Sequence, residues 1–169
     1  EKPPQLIIDP RFNEVQTDEQ IEVMMPLLKD RDARFADLVA AMDTDTKSFQ
    51  KIIETVFNYW VSSDCDVSGI QSWADYSEGV VSAFEGAMAS AASGTDTAIF
   101  TSGGTIATIV GHVLRLTSDR VYEFYEPVFN CSITRIIFNS RKCSLSTFND
   151  VGHLQLMSAQ LEERLVTYR

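Results

Sequence analysis

Positive charge is in short supply in this chain. Its 169 residues carry 14 Lys and Arg against 24 Asp and Glu, a net charge of −10. A broad nucleic-acid or anionic-membrane footprint needs a basic surface, so neither partner is expected. A small local anion site stays open, because a helix N-terminus and a few arginines can build one at any net charge. Long apolar runs are missing too: none approaches the length of a membrane span, and no secretory h-region is present. Cysteine is sparse. Cys65, Cys131 and Cys143 form no CxxC pair and cannot all pair with one another, which points to a reducing, cytoplasmic setting. Internal repeats and low-complexity segments are absent. The acid pairs Asp30/Asp32, Asp43/Asp45 and Asp64/Asp66 lack the calcium-loop register with its central Gly and terminal Glu. They read as helix caps and solvated turns, and no metal is expected. The chain opens on Glu1 rather than Met, and residues 1–4 read as the cut edge of a longer product.

What is present is an ordinary globular composition, 44% hydrophobic and 22% charged, at a length that supports one domain with a substantial core. "QLIID" (5–9) is a short apolar run ended by Pro10, as in a strand entering a loop. From Asp18 the spacing turns helical. Ile21, Met24, Met25 and Leu28 recur at i, i+3, i+4, i+7, with Pro26 expected to break or restart the helix. Phe35, Leu38, Val39 and Met42 repeat the spacing. Phe49, Ile52, Ile53, Val56, Phe57 and Trp60 do so again after possible caps at 44–46. Residues 18–62 therefore predict two or three successive helices.

After the loop "SSDCDVSG" (62–69), a further helix carries Trp73, Tyr76, Val80, Phe84 and Met88 on one face. Residues 97–101 predict a strand that runs through the SGG turn into a helix with Ile106, Ile109, Val110, Val113 and Leu114 on its stripe, stopping near 117–119. "CSITRIIFN" (131–139) and "CSLSTFN" (143–149) flank "SRK" as the arms of a hairpin. A last helix is expected over about 155–166. Strands alternating with helices and closed by a hairpin predict an α/β fold, a mixed sheet with helices on both faces.

Four segments stand in order: "DPRFNEV" (9–15), "IFTSGGTIA" (99–107), "EPVFNCSIT" (126–134) and "LSTFNDVGHL" (145–154), with "SWADY" (72–76) between the first two. In this order they resemble the histidine phosphatase superfamily, the phosphoglycerate mutase-like proteins, over about residues 6–154. The resemblance implies a mixed, mostly parallel sheet sandwiched by helices, in one domain over 1–169, with a helical insertion at about 18–70 that covers the pocket or packs on a partner. It implies phosphoryl transfer through a phosphohistidine to and from a small phosphorylated molecule, with no metal or other cofactor. The family's nucleophilic histidine lies in an Arg-His-Gly motif at the end of its first strand. This chain has no such triplet, and its only histidines are His112 and His153. The chain alone is therefore expected to be inactive, with the nucleophile outside it. An alternative is a weak or inactive relative that binds a phosphorylated ligand or a protein partner. With that first strand absent, its neighbours would expose unpaired edges. The chain is then expected either to associate with another copy, as a homodimer, or to be part of a longer chain.

Residue by residue, Glu14 matches the family's acidic residue, the general acid that protonates the leaving oxygen. Ser102 matches the position of the second histidine, and Gly103 and Gly104 present amides at a helix N-terminus where phosphate can bind. A serine there can donate a hydrogen bond but brings no charge. Arg11 is the one basic residue close to Glu14, either paired with that carboxylate or reaching substrate. Asn130, Ser132 and Thr134 match an "NxSxT" element that positions the turn beside the site. Asn149, Asp150 and His153 match a late structural element, with His153 read as a hydrogen-bonded loop residue. His112 lies on a helix flank and is an unlikely nucleophile.

Overall fold

The computed structural model describes residues 5–168; the sequence reading of residues 1–4 as a cut edge lies outside them. Helices dominate. α1 (Thr17–Arg31), α2 (Ala33–Ala41) and α3 (Thr46–Trp60) follow one another, as the apolar spacing predicts. Two of the paired acids set the boundaries. Asp32 accepts the Arg34 amide at the start of α2, and Asp45 accepts the amides of Lys47 and Ser48 at the start of α3. These short side chains satisfy donors that a helix start leaves open. Pro26 does not break α1, contrary to expectation. It lies on the exposed side of the helix, where water can take the carbonyl that its missing N–H leaves free.

Helix α4 (Trp73–Ser90) is capped by Ser72, whose hydroxyl accepts the Asp75 amide. α5 (Gly103–Leu114) follows directly on the SGG turn and ends in a left-handed Arg115. The single-turn α6 (Tyr122–Tyr125) precedes the hairpin of β1 (Ile133–Phe138) and β2 (Cys143–Asp150). α7 (Gly152–Leu161) starts and stops earlier than the predicted 155–166: the Asp150 carboxylate accepts the Gly152 amide at 2.7 Å where the helix opens, and a left-handed Glu162 ends it.

One apolar core joins these elements. Met24 from α1, Phe35 from α2, Ile52 and Val56 from α3 and Val80 from α4 are all essentially inaccessible. At its centre the Phe57 ring lies 5.7 Å from Trp60, 6.0 Å from Trp73, 5.3 Å from Tyr122 and 5.4 Å from Tyr125. Both indoles have polar partners: Trp60 donates to the Gln71 carbonyl at 2.8 Å and Trp73 to the Ser118 hydroxyl at 2.9 Å. The cluster thus ties α3, α4 and α6 together with large apolar area and edge-on ring geometry.

The mostly parallel sheet with helices on both faces is not what the chain forms. The sheet among the described residues is the two-stranded antiparallel hairpin β1–β2. Residues 5–9 and 97–101, both expected as strands, lie outside any ladder. Leu6, Ile7, Ile8 and Phe100 are 84%, 74%, 87% and 93% exposed. β-branched residues favour a pleated surface only when a neighbouring strand takes up the backbone N–H and C=O groups. Among the described residues neither segment has that neighbour, while the helices bury their stripes against one another.

Candidate functional site

The site begins with the loop before α1. Asp9 caps a single 3-10 turn, Pro10–Phe12, and its carboxylate grips the Arg11 side chain through two N–H bonds, 2.9 Å and 2.6 Å. That pairing holds the Asp9 carboxyl below its usual range. Arg11 thus pairs with Asp9 rather than Glu14, and its remaining reach goes to the Ser82 hydroxyl on α4, 3.3 Å away.

The loop is then stitched to the start of α5. Thr101 donates to the Phe12 carbonyl at 2.5 Å, and Thr105 to the Asn13 carbonyl at 2.8 Å. With the Thr105 proton committed, the Tyr76 hydroxyl 3.0 Å away is the donor to Thr105. Burial is the main cause that pushes the Tyr76 phenol up out of the titrating range, with the Glu14 charge adding to it. Tyr76 is therefore a fixed neutral donor.

These bonds deliver Glu14 to the head of α5. Its Oε1 accepts the Gly104 amide at 3.0 Å and the Val15 amide at 2.8 Å. A carboxylate at a helix start meets open N–H groups and the positive end of the helix dipole. The approach depends on glycine. A Cβ on Gly104 would stand 2.4 Å from Glu14 Oε1 and 2.6 Å from the Val15 side chain. A Cβ on Gly103 would meet the Tyr125 ring at 3.3 Å. Beside them Ser102 occupies the N-cap position of α5, exposed, with no side-chain capping bond.

The structure thus brings Glu14, Ser102, Gly103 and Gly104 to one helix end and leaves the other candidates elsewhere. Asn130 donates to the Thr167 hydroxyl at 3.0 Å, toward the C-terminal segment. Asn149, in the left-handed region, accepts the Phe129 amide and donates to the Pro127 carbonyl. Its own amide goes to the Thr134 hydroxyl, so the two late motifs clamp the turn before β1. His153 lies exposed in the first turn of α7 rather than in a loop. His112 pairs with Glu85 across α4 at 3.4 Å. Sequence reasoning missed the Thr101, Thr105 and Tyr76 stitches. Their only sequence signal is that the three hydroxyl residues fall within the ordered motifs.

A helix start that accepts a carboxylate beside an exposed serine defines an anion-receptive site on a predominantly helical domain. The family comparison makes this specific: a model of the histidine phosphatase superfamily (branch 1) matches residues 16–151. The chain belongs to that superfamily. The match takes in Ser102, Gly103 and Gly104 and starts two residues after Glu14. No curated protein and no solved structure matches the chain. No helix among the described residues is long and apolar enough to cross a membrane.

Proposed function

We infer that the chain supplies the acid and the phosphate-facing helix start of a phosphomonoester phosphatase, and that the nucleophilic histidine lies outside it. The observation that carries this reading is the Glu14 carboxylate at the head of α5, one residue from Gly103 and two from the exposed Ser102. The substrate is a small phosphorylated molecule. Its phosphoryl oxygens take the open amides and the Ser102 hydroxyl, which favour negative charge at a helix start. The histidine nitrogen attacks phosphorus, the ester P–O bond breaks, and protonated Glu14 gives its proton to the leaving oxygen. Water then cleaves the phosphohistidine, with Glu14 taking the proton back. In this role Glu14 must swing from Gly104 to the ester. The three cysteines, all free, accord with a cytoplasmic location.

Residues 1–169 alone should show no turnover of p-nitrophenyl phosphate, and measurable turnover by this chain would overturn the reading. In a form of the protein that holds the nucleophile, Glu14→Gln should lower kcat by about 10²–10⁴, read in the same assay.

One specific observation favours a second reading. Ser102 brings no charge, and Arg11 is committed to Asp9, so a non-catalytic relative that binds a phosphorylated ligand fits the same geometry. Ser102→His separates the two in that longer form. A strong rise in turnover marks a weakened enzyme, whereas activity that stays at zero marks the binding relative.

A further inference from the structure

The end of α3, the loop after it and the first turn of α4 enclose a cavity of about 390 Å³, lined chiefly by Trp60, Val61, Cys65, Val67, Ile70 and Trp73. The loop that forms one wall is pinned to two helices. Its Asp66 carboxylate accepts the Tyr59 hydroxyl of α3 at 2.9 Å, and that hydroxyl accepts an N–H of Arg31 from α1 at 2.8 Å. The polar groups of the lining are mostly bonded within the chain already. The indoles of Trp60 and Trp73 donate to Gln71 and Ser118, while Ser62 donates to the Tyr59 carbonyl and Ser72 to Asp75. A ligand is therefore offered apolar and aromatic surface, with the two indole rings 5.2 Å apart and crossing at 78°. A space of this size takes a molecule of one or two fused rings.

Charge narrows the ligand further. From Ile52 to Leu114 the chain has no Lys or Arg. Asp64 and Asp66 flank Cys65, and Asp75 follows the lining residue Ala74. Arg31, reaching in from α1, is committed to Tyr59 and Asp66. Such a rim repels anions, so a phosphorylated molecule does not belong here, whereas indole faces attract a cation. The cavity also leads toward Glu14. Tyr76, one turn along α4 from Trp73, packs 5.5 Å from the Trp60 ring and 6.1 Å from the Trp73 ring. Its hydroxyl meets Thr105, which holds the Asn13 carbonyl next to Glu14. We propose that this cavity binds a small aromatic cation, an arylalkyl ammonium in chemical class, and that its occupancy is felt at the Glu14 loop through Tyr76. The rings lie against the indoles and the ammonium against the Asp rim. A ligand that shifts the indoles shifts the phenol packed on them, and with it the stitch that holds the loop.

Binding and amide shifts are the readouts, so this inference stands or falls apart from the proposed chemistry. The two tryptophans of the chain both line the cavity, so their indole N–H signals in an NMR spectrum of residues 1–169 report on it directly. Titration with 1-naphthylmethylamine should shift both signals saturably, with a dissociation constant of about a millimolar. The Gly104 amide should move along the same curve. 1-Naphthoate, which has the same rings and a negative charge, should bind about tenfold more weakly or worse. Ala74→Phe, at an exposed lining position, puts a ring of the chain's own into the cavity mouth. Its far-UV circular dichroism should match the parent, and its affinity for the amine should fall about tenfold. Indole signals that never saturate overturn the proposal, as do equal binding of naphthoate, a Gly104 amide that stays still, or a folded Ala74→Phe chain that binds the amine like the parent. If Ala74→Phe fails to fold, the naphthoate comparison decides.

Discussion

The helical block of α1 to α4 and the segments around the hairpin are built from similarly apolar sequence, yet they end in opposite conditions. In the block, Met24, Phe35, Ile52 and Val80 are essentially inaccessible. Around the hairpin, Phe100, Ile133 and Ile137 are more than half exposed. The difference is where the backbone hydrogen bonds close. A helix satisfies its own N–H and C=O groups within each turn, so its side chains need only an apolar neighbour. An extended segment satisfies nothing alone, and it stays solvated until a second strand arrives.

That contrast predicts which changes matter. Phe57→Ala removes the ring at the centre of the aromatic cluster and should destabilise the chain by about 3–5 kcal/mol, read by urea denaturation. If the hairpin were an independent unit, its near-ultraviolet signals would survive this loss. We expect them to disappear together with the helices, because Phe124 from α6 packs on Phe148 of β2.

Gly104→Ala probes the junction between the two regions. The new methyl collides with both the Glu14 carboxylate and the Val15 side chain. The expected cost is about 1–3 kcal/mol, as for overpacking elsewhere, together with a shift of Glu14 away from the helix start. A thermal melt reads the first effect and an NMR shift of the residue 104 amide the second. An unchanged melt would mean that the loop at 9–15 yields freely.

The smallest effect is expected at the edge of the helical block. The Ser48 hydroxyl and the Lys47 amide hold the Asp45 carboxyl below its ordinary value of 3.8. A carboxyl lowered on folding stabilises the fold at pH above its unfolded value, and that support is lost as pH falls through the lowered folded value. Asp45→Ala should therefore lower the melting midpoint slightly at neutral pH, and the gap to the parent should close in acid. A gap independent of pH would assign the effect to the helix start rather than to the charge.

Much of this molecule is legible from residue order. The helices after Asp18 follow from apolar spacing, and the starts of α2 and α3 lie at the acidic caps Asp32 and Asp45. The hairpin follows from two β-branched arms around "SRK". The motif order led to the superfamily and to Ser102, Gly103 and Gly104. Where local reasoning failed, a distant partner decided the outcome. "QLIID" and "TAIFT" have every local property of strands, but a strand exists only when another lies beside it. Pro26 has the local property of a helix breaker, but an exposed position tolerates it.

The site divides in the same way. Sequence by itself determined the helix that starts after SGG and the carboxylate that precedes α1, because capping, glycine freedom and apolar period act over a few neighbouring residues. Only the tertiary structure decided that Glu14 meets Gly104 across 90 residues, that Arg11 turns to Asp9, and that Tyr76 and Thr105 fix the loop in place. Those bonds join residues that only the packed helices bring together. The aromatic core around Phe57 fixes α4 against α3 and α6, and no local pattern encodes how the loop then meets α4 and α5.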